Sequence, residues 1–287
     1  MTEMDTDWTV ITGSTGGIGS ELAKQLVARG DALILVNRSE TKTQEQLASL
    51  VQDYPLAKIE LVTADLMDTQ EIFDAANKIN QLPGRVDVLY NNSGILTSKR
   101  VLSKQGFESQ FAVNTLAPYL LIRLLRNKMA RSSFDVPAMI VNFSSSAITP
   151  LKSLDVDNLV APEEVGGLMT TYAQTKLAVT MFAPALAEEL LRDNILIRAV
   201  DPGATKSAMT TSNNDAMPKV LAWLAPLLFS PADKQAQKVI ESADPMAFDG
   251  RSGIYVANKK EKKLPPPAID ASAQDALIKL CDRYLST

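Results

Sequence analysis

Val10-Ile11-Thr12-Gly13-Ser14-Thr15-Gly16-Gly17-Ile18-Gly19 is the stretch that decides the fold. An apolar, β-branched run ends at Thr12, glycines follow at 13, 17 and 19, and a helical pattern opens. A helix entered through a glycine-rich turn leaves its first N–H groups unpaired and the positive end of its dipole facing outward. Such a turn suits a pyrophosphate, which needs close backbone approach and donors. The spacing is Gly-x-x-x-Gly-x-Gly, a departure from Gly-x-Gly-x-x-Gly. Its place between strand and helix still makes Gly13, Ser14, Thr15, Gly17, Ile18 and Gly19 candidate cofactor contacts. The plain alternative is a glycine-rich turn that binds nothing.

Outward from that loop the chain keeps a rhythm. Apolar runs stand at 8–12, 32–37, 59–63, 86–91, 138–143, 195–200 and 253–256. Helical patterns lie between them near 17–29, 41–53, 69–80, 105–130, 170–193 and 232–242,. Strands that read apolar throughout suit a parallel sheet buried on both faces. The alternation therefore predicts an α/β fold: a doubly wound (Rossmann) parallel sheet of about seven strands with helices on both faces. No repeat or linker divides the chain, so residues 1–287 are expected to form a single dinucleotide-binding catalytic domain. Two segments break the rhythm. Residues 150–168 form a polar insertion before the helix at 170, and 210–229 read as an apolar helical stretch after a Ser/Asn-rich loop. The second is either a helix docked on the core or a substrate lid hinged by polar loops.

Composition narrows the chemistry. A net charge of −4 with no long basic run before the C-terminal tail argues against nucleic acid,. The chain has no histidine, which removes histidine triads and the usual zinc sites, and no metal is expected,. One cysteine, Cys281, allows no internal disulfide and points to a reducing compartment,. No stretch reaches the roughly 20 apolar residues of a membrane span, and no signal-like segment precedes Trp8. The expectation is a soluble, cytoplasmic protein.

Thr171-Tyr172-Ala173-Gln174-Thr175-Lys176 carries the reactive groups. On a helix, Tyr172 and Lys176 share one face. A free phenol, with a pKa of about 10, is a poor proton donor at neutral pH, and a neighbouring ammonium favours its ionised form. Arg38, in Asn37-Arg38-Ser39 after the second run, stands where a carboxylate would bind ribose hydroxyls in an NAD site. Its planar fork suits a 2′-phosphate instead, with Lys42 a weaker candidate. The preference is therefore for NADP (NADPH).

Thr-Gly-x-x-x-Gly-Ile-Gly with Tyr-x-x-x-Lys downstream resembles the short-chain dehydrogenase/reductase family. Asn91-Asn92-Ser93-Gly94, Asn114, Ser144-Ser145-Ser146 and Pro202-Gly203 follow in the family's order. Gly253-Ile254-Tyr255-Val256, the Lys- and Pro-rich residues after it, a terminal helix and the long gap from Ser145 to Tyr172 look like the retinol-dehydrogenase-like branch. The resemblance implies a catalytic set of Asn114, Ser145, Tyr172 and Lys176, with Ser145 taken from Asn-x-Ser-Ser. It implies cofactor contacts at Asn37, Asp65, Leu66, Asn92, Ser93, Gly94, Pro202 and Gly203, with Thr205 and Ser207 sharing one role near the carboxamide. Asn114 is implied both to bend its helix and to hold a water on a proton relay to Lys176. A homodimer or homotetramer through paired helices is the family expectation.

The chemistry implied is hydride transfer between nicotinamide and a carbonyl or alcohol carbon of a hydrophobic small molecule. Reduction of a carbon–carbon double bond by the same Tyr/Lys pair is one alternative. A cofactor-binding sensor or scaffold without turnover is another. Pro184, inside the helix that bears Tyr172, predicts a kink.

Overall fold

The computed structural model describes residues 6–131, 135–162, 168–203 and 230–285. Strands form where the apolar runs stand: β1 (Asp7–Thr12), β2 (Ala32–Asn37), β3 (Ile59–Thr63), β4 (Arg85–Asn91), β5 (Ala138–Phe143), β6 (Ile195–Asp201) and β7 (Ile254–Ala257). An eighth, β8 (Lys260–Lys262), completes one sheet in the order β3-β2-β1-β4-β5-β6-β7-β8. All pairings are parallel except β7 with β8. Every residue of β5 and β6 is buried, as a strand covered on both faces requires,.

The eighth strand was not expected, for a physical reason. Lys-Glu-Lys has no apolar pattern; the strand exists because Asn258 and Lys259 take φ of 52° and 60° and make a two-residue hairpin,. A short charged strand at the sheet's edge also resists pairing with another chain.

Helices cover both faces. On one lie α1 (Gly17–Arg29) and α2 (Glu40–Asp53), which bury Leu22, Leu26 and Leu50 against β1, β2 and β4. On the other lies α3 (Thr69–Gln81), with Ile72 and Ile79 inward. Beside it runs a helical rod, α4, made of Ser109–Phe111, a π-helical segment Ala112–Leu116 and Ala117–Met129. Next comes α5 (Leu168–Leu191); α6 (Ala232–Ala243) packs with α1, and α7 (Ala271–Asp282) closes the α5 side. Each fully buried leucine or isoleucine contributes about 1.5–3 kcal/mol.

The rod α4 begins at Ser109, not at 105. Gly106 sits at φ +84°, and the Glu108 carboxylate then caps the helix by accepting from the N–H groups of Gln110 (2.8 Å) and Phe111 (3.1 Å),. The helix α5 runs unbroken through Pro184 over 24 residues. Gly253, leading into β7, passes this stretch so closely that a Cβ there would lie 3.0 Å from the Ala187 Cβ. On α7, Asp282 accepts a hydrogen bond from the Tyr119 hydroxyl of α4, and Arg123 and Arg126 of α4 pair with Glu189 of α5.

One buried charge organises the far end of the sheet. Arg198, in the middle of β6, is fully buried and donates to the carbonyls of Ser242, Asp244, Pro245, Ala247 and Arg251. It thereby caps the C-terminus of α6 and holds the loop after it. Burial lowers the guanidinium to about 10, which leaves it charged at neutral pH. Among the described residues no helix is long and apolar enough to cross a membrane.

Candidate active site

The strand order reverses between β1 and β4, and the crevice at their C-terminal ends holds the glycine loop,. Gly13 has φ +69°, and a Cβ there would meet the Ser93 hydroxyl at 2.6 Å. A Cβ on Gly19 would meet the Gly13 carbonyl oxygen at 2.3 Å and the Asn92 amide at 2.6 Å. These glycines are thus required by the loop's own packing against Asn92 and Ser93. The Asn92 Nδ2 donates to the carbonyls of Thr12 (2.8 Å) and Gly13 (2.9 Å), and Ser93 N–H donates to Thr12 Oγ1 (3.0 Å). A Gly19→Ala substitution is expected to cost about 1–3 kcal/mol through overpacking and to weaken cofactor binding with it. Thermal melting and cofactor titration of the variant check this; unchanged values for both would refute it.

The loop is braced from beneath. Asn37 Oδ1 accepts from Ser14 N–H (2.7 Å) and Asn37 Nδ2 donates to Ser14 Oγ (2.8 Å), while Ser14 Oγ donates to Gln46 Oε1 (2.8 Å). The side chains of Ser14 and Asn37 are buried in this brace. At the loop's outer end, Gly16 precedes α1 in extended conformation, caps with no side chain, and the first helical turn carries no acid. The N–H groups there remain available to an anion, so the residues present fit a dinucleotide's phosphates. Arg38 and Lys42 are exposed just past β2. Asp65 shapes the turn after β3, its Oδ1 accepting from Met67 N–H (3.0 Å), and Leu66 points into the core.

The second half of the site lies across β4, β5 and α5. Lys176 is buried, and its Nζ donates to the Phe143 carbonyl (2.8 Å). Its ammonium stands 5.9 Å from the centroid of the Tyr172 ring, so the pair does share one helix face. A Cβ on Gly94 would lie 3.4 Å from both Lys176 Nζ and Asn114 Oδ1; the three residues meet at one point. Asn114 sits in the π-helical segment and braces the backbone of Ile95 at both atoms, Nδ2 to its carbonyl (2.9 Å) and Oδ1 from its N–H (2.8 Å). Its Nδ2 also reaches Thr175 Oγ1 (3.1 Å).

The serine triplet divides by burial. Ser144 is buried and hydrogen-bonded to Thr180 Oγ1 (2.6 Å), whereas Ser146 is exposed. Ser145 is partly exposed, opens the turn Ser146–Ile148 by accepting from the Ala147 N–H (3.2 Å), and stands beside the Tyr172 phenol. Burial pushes the Tyr172 phenol up, the Ser145 hydrogen bond pulls it down, and Asp201 pushes it up again. The net rise, set first by burial, departs from the lowering expected of a lysine neighbour. Burial lowers Lys176 to about 8, opposed by the attraction of Asp201.

Asp201 is the group that motif reading passed over. The only signal was a carboxylate ending an apolar run directly before Pro202-Gly203. Thr205, Ser207 and the segment 210–229 lie outside the described residues, as do 163–167 of the insertion. The described part of that insertion is tied to α5 through Gln174, which donates to the Ser153 carbonyl and accepts from Asp155 N–H, both at 3.2 Å.

A strand, a glycine turn and a helix, with Ser145, Tyr172, Lys176 and Asn114 gathered beyond them, define a dinucleotide-dependent oxidoreductase. The chain belongs to the short-chain dehydrogenase family: the model of that family, described as short chain dehydrogenase, matches residues 7–153 and 160–218. It is similar to retinol dehydrogenase 13 of Mus musculus, 29% identical over 267 residues, covering 91% of this chain and 78% of that one. It is 30% identical over 200 residues to retinol dehydrogenase 13 of Homo sapiens, covering 70% of this chain but only 59% of that protein's length. These relatives put it in the retinol-dehydrogenase-like branch of that oxidoreductase family, whose members use a nicotinamide cofactor. In fold it matches a blue fluorescent protein from a metagenomic library solved in complex with NADPH, with a TM-score of 0.68, 23% identity, and 90% and 98% of the two chains covered.

Proposed function

We propose that the protein is an NADP-dependent oxidoreductase that interconverts a carbonyl and an alcohol on a hydrophobic small molecule. The observation that carries this reading is the meeting of Lys176, Asn114 and Gly94 at one point, with Tyr172 and Ser145 alongside. The nicotinamide cofactor, when bound, supplies the hydride.

The protein's own residues handle the proton and the positioning. Tyr172 gives its phenolic proton to the carbonyl oxygen, while Ser145 hydrogen-bonds the same oxygen and stabilises charge as it develops. Lys176 spends one donor on Phe143 and has two left for a ribose hydroxyl and for water,. Asn114 holds the chain at Ile95, and with it Gly94, against Lys176. Since its side-chain amide is engaged there, we assign it a bracing role, with any relay water held by other groups. The N–H groups from Gly16 to Gly19 take the pyrophosphate, Asp65 and Asn92–Gly94 flank the adenosine, and Pro202 and Gly203 border the nicotinamide.

Arg38, with no side chain closing it off from solvent, is assigned to the 2′-phosphate. Arg38→Ala is expected to weaken NADPH binding by about 10- to 100-fold, the loss of one charge-assisted contact, with NADH binding nearly unchanged. Cofactor titration by fluorescence checks this, and equal NADH and NADPH affinity in the parent protein would sink it. Substrate class is tested by NADPH consumption against aldehydes and ketones graded by size and polarity, with product analysis to separate carbonyl from double-bond reduction. A homo-oligomer built through α4 and α5 would include α7 in its interface.

A further inference from the structure

The carboxylate of Asp201 occupies a position that no catalytic role yet explains. It ends β6, is buried, and is held at both oxygens. Oδ1 accepts from the Gly203 N–H (2.8 Å), and Oδ2 accepts from the Tyr255 hydroxyl (3.3 Å) on β7. From β6 the contacts run back toward Lys176. The Ser144 N–H donates to the carbonyl of Val200, the residue before Asp201 (2.8 Å), Ser144 Oγ is hydrogen-bonded to Thr180 Oγ1 (2.6 Å), and Thr180 donates to the carbonyl of Lys176 (2.7 Å). Ser144 is also the residue after Phe143, whose carbonyl receives the Lys176 ammonium. The strand that ends in Asp201 is thus tied to the backbone on both sides of that ammonium.

An ammonium buried with one carbonyl as its partner is costly unless an opposite charge stands near. The groups packed around Lys176 can be taken in turn. The rod α4 offers the neutral Asn114 and Thr115, the turn after β4 offers Gly94, and β5 offers the Phe143 carbonyl. Its own helix offers the Tyr172 phenol. Among the described residues, only β6 brings a carboxylate, Asp201, and it acts on both Lys176 and Tyr172.

We propose that Asp201 is a positioning residue of the active site: its buried carboxylate is the counter-charge of Lys176 and the anchor of the Pro202–Gly203 turn. The proposal rests on the reading of Tyr172 and Lys176 as the proton-handling pair. A mere turn former would need only an acceptor for the Gly203 N–H, which asparagine supplies equally well. Charge is what distinguishes the two roles. Tyr255 is kept protonated by burial and by Asp201 itself, so it remains a donor to the carboxylate and never competes as an acid.

The sign of the effect follows from Lys176. Its active form is the ammonium, which is lost as pH rises through about 8. Removing the carboxylate removes the influence that raises that value, so the alkaline limb of carbonyl reduction must move to lower pH. Loss of the upward push on Tyr172 moves the limb the same way.

The test is the pH dependence of kcat/KM for NADPH-driven reduction in the parent protein, Asp201→Asn, Asp201→Ser and Asp201→Glu. Asparagine is nearly isosteric, and a serine hydroxyl can still accept from the Gly203 N–H. The expected result is an alkaline limb displaced downward by about one pH unit in both neutral variants, and restored in part by glutamate. In protein labelled with carbon-13 at lysine Cε, the Lys176 resonance, assigned through Lys176→Arg, should titrate at lower pH in Asp201→Asn. That second readout does not depend on turnover. If the parent protein reduces nothing while the Lys176 titration still moves, the reading of the site fails and the counter-charge stands. Coincident limbs and coincident Lys176 titrations would overturn the proposal. So would failure of both neutral variants to fold, which would make Asp201 a structural carboxylate only.

Discussion

Tyr172→Phe is expected to fold, to bind NADPH, and to turn over more slowly by a factor of about 10²–10⁴. The change removes one oxygen and leaves the ring that packs beside Lys176. The Lys176 ammonium keeps its bond to the Phe143 carbonyl, and the glycine loop is untouched, so the cofactor's binding surface survives. What disappears is the acid aimed at the substrate oxygen. Ser145 is left to hydrogen-bond that oxygen alone, and a serine hydroxyl is too weak an acid to replace the phenol. Burial already holds Tyr172 above its ordinary range; the protonated phenol is therefore the resting form, as carbonyl reduction needs. The measurements are single-turnover rate, NADPH titration and melting temperature on the same preparation. Parent-level turnover in the variant would remove Tyr172 from the mechanism.

The second large effect is on stability and lies on the same strand as Asp201. Arg198→Met should destabilise the protein by about 4 kcal/mol or more, because five carbonyls between Ser242 and Arg251 lose a charged donor at once,. The arginine makes five hydrogen bonds, to Ser242, Asp244, Pro245, Ala247 and Arg251, and stacks 5.3 Å from the Phe248 ring centroid. Methionine fills much of the volume but donates nothing. Lysine should fail as well, since three donors at one point cannot reach carbonyls spread around a planar fork. Against the usual 5–15 kcal/mol of total stability, such a loss shows directly in the midpoint of urea unfolding. The effect should reach the site too, because Gln235 of α6 packs against Gly203: a Cβ on that glycine would lie 2.8 Å from Gln235 Nε2. A variant with an unchanged unfolding midpoint would contradict this account.

The legibility of these features differs for physical reasons. Runs of β-branched and apolar residues revealed seven strands, because strands buried on both faces leave a continuous signal. The Lys260–Lys262 strand left none, being charged and set by two residues at positive φ. The glycine loop was legible as a seat for phosphates; the contacts of Gly13 and Gly19 with Asn92 and Ser93, some 75 residues on, add a packing requirement that no local pattern encodes. Ser14 in the loop and Asn37 at the end of β2 were expected beside the cofactor; that their side chains also brace each other is a contact between two strands' ends that the sequence does not display. Arg198 lies in a run read simply as apolar, and its partners belong to a loop that begins more than 40 residues later. Asp201 had the least signal of all. A single carboxylate before Pro-Gly is unremarkable until β7 sets Tyr255 beside it.

The π-helical segment at Ala112–Leu116 has a consequence for which changes the chain can absorb. Such a segment is an α-helix carrying one residue more than its hydrogen-bond pattern calls for. Everything before it, from the Glu108 cap onward, is turned by about 100° relative to the helix that follows. The rod therefore has a functional length as well as a functional sequence. Exchanging one apolar side chain for another within the segment leaves that phase intact, while a one-residue deletion would mend the helix and swing Asn114 away from Ile95 and Lys176. Here the ruler matters more than the alphabet.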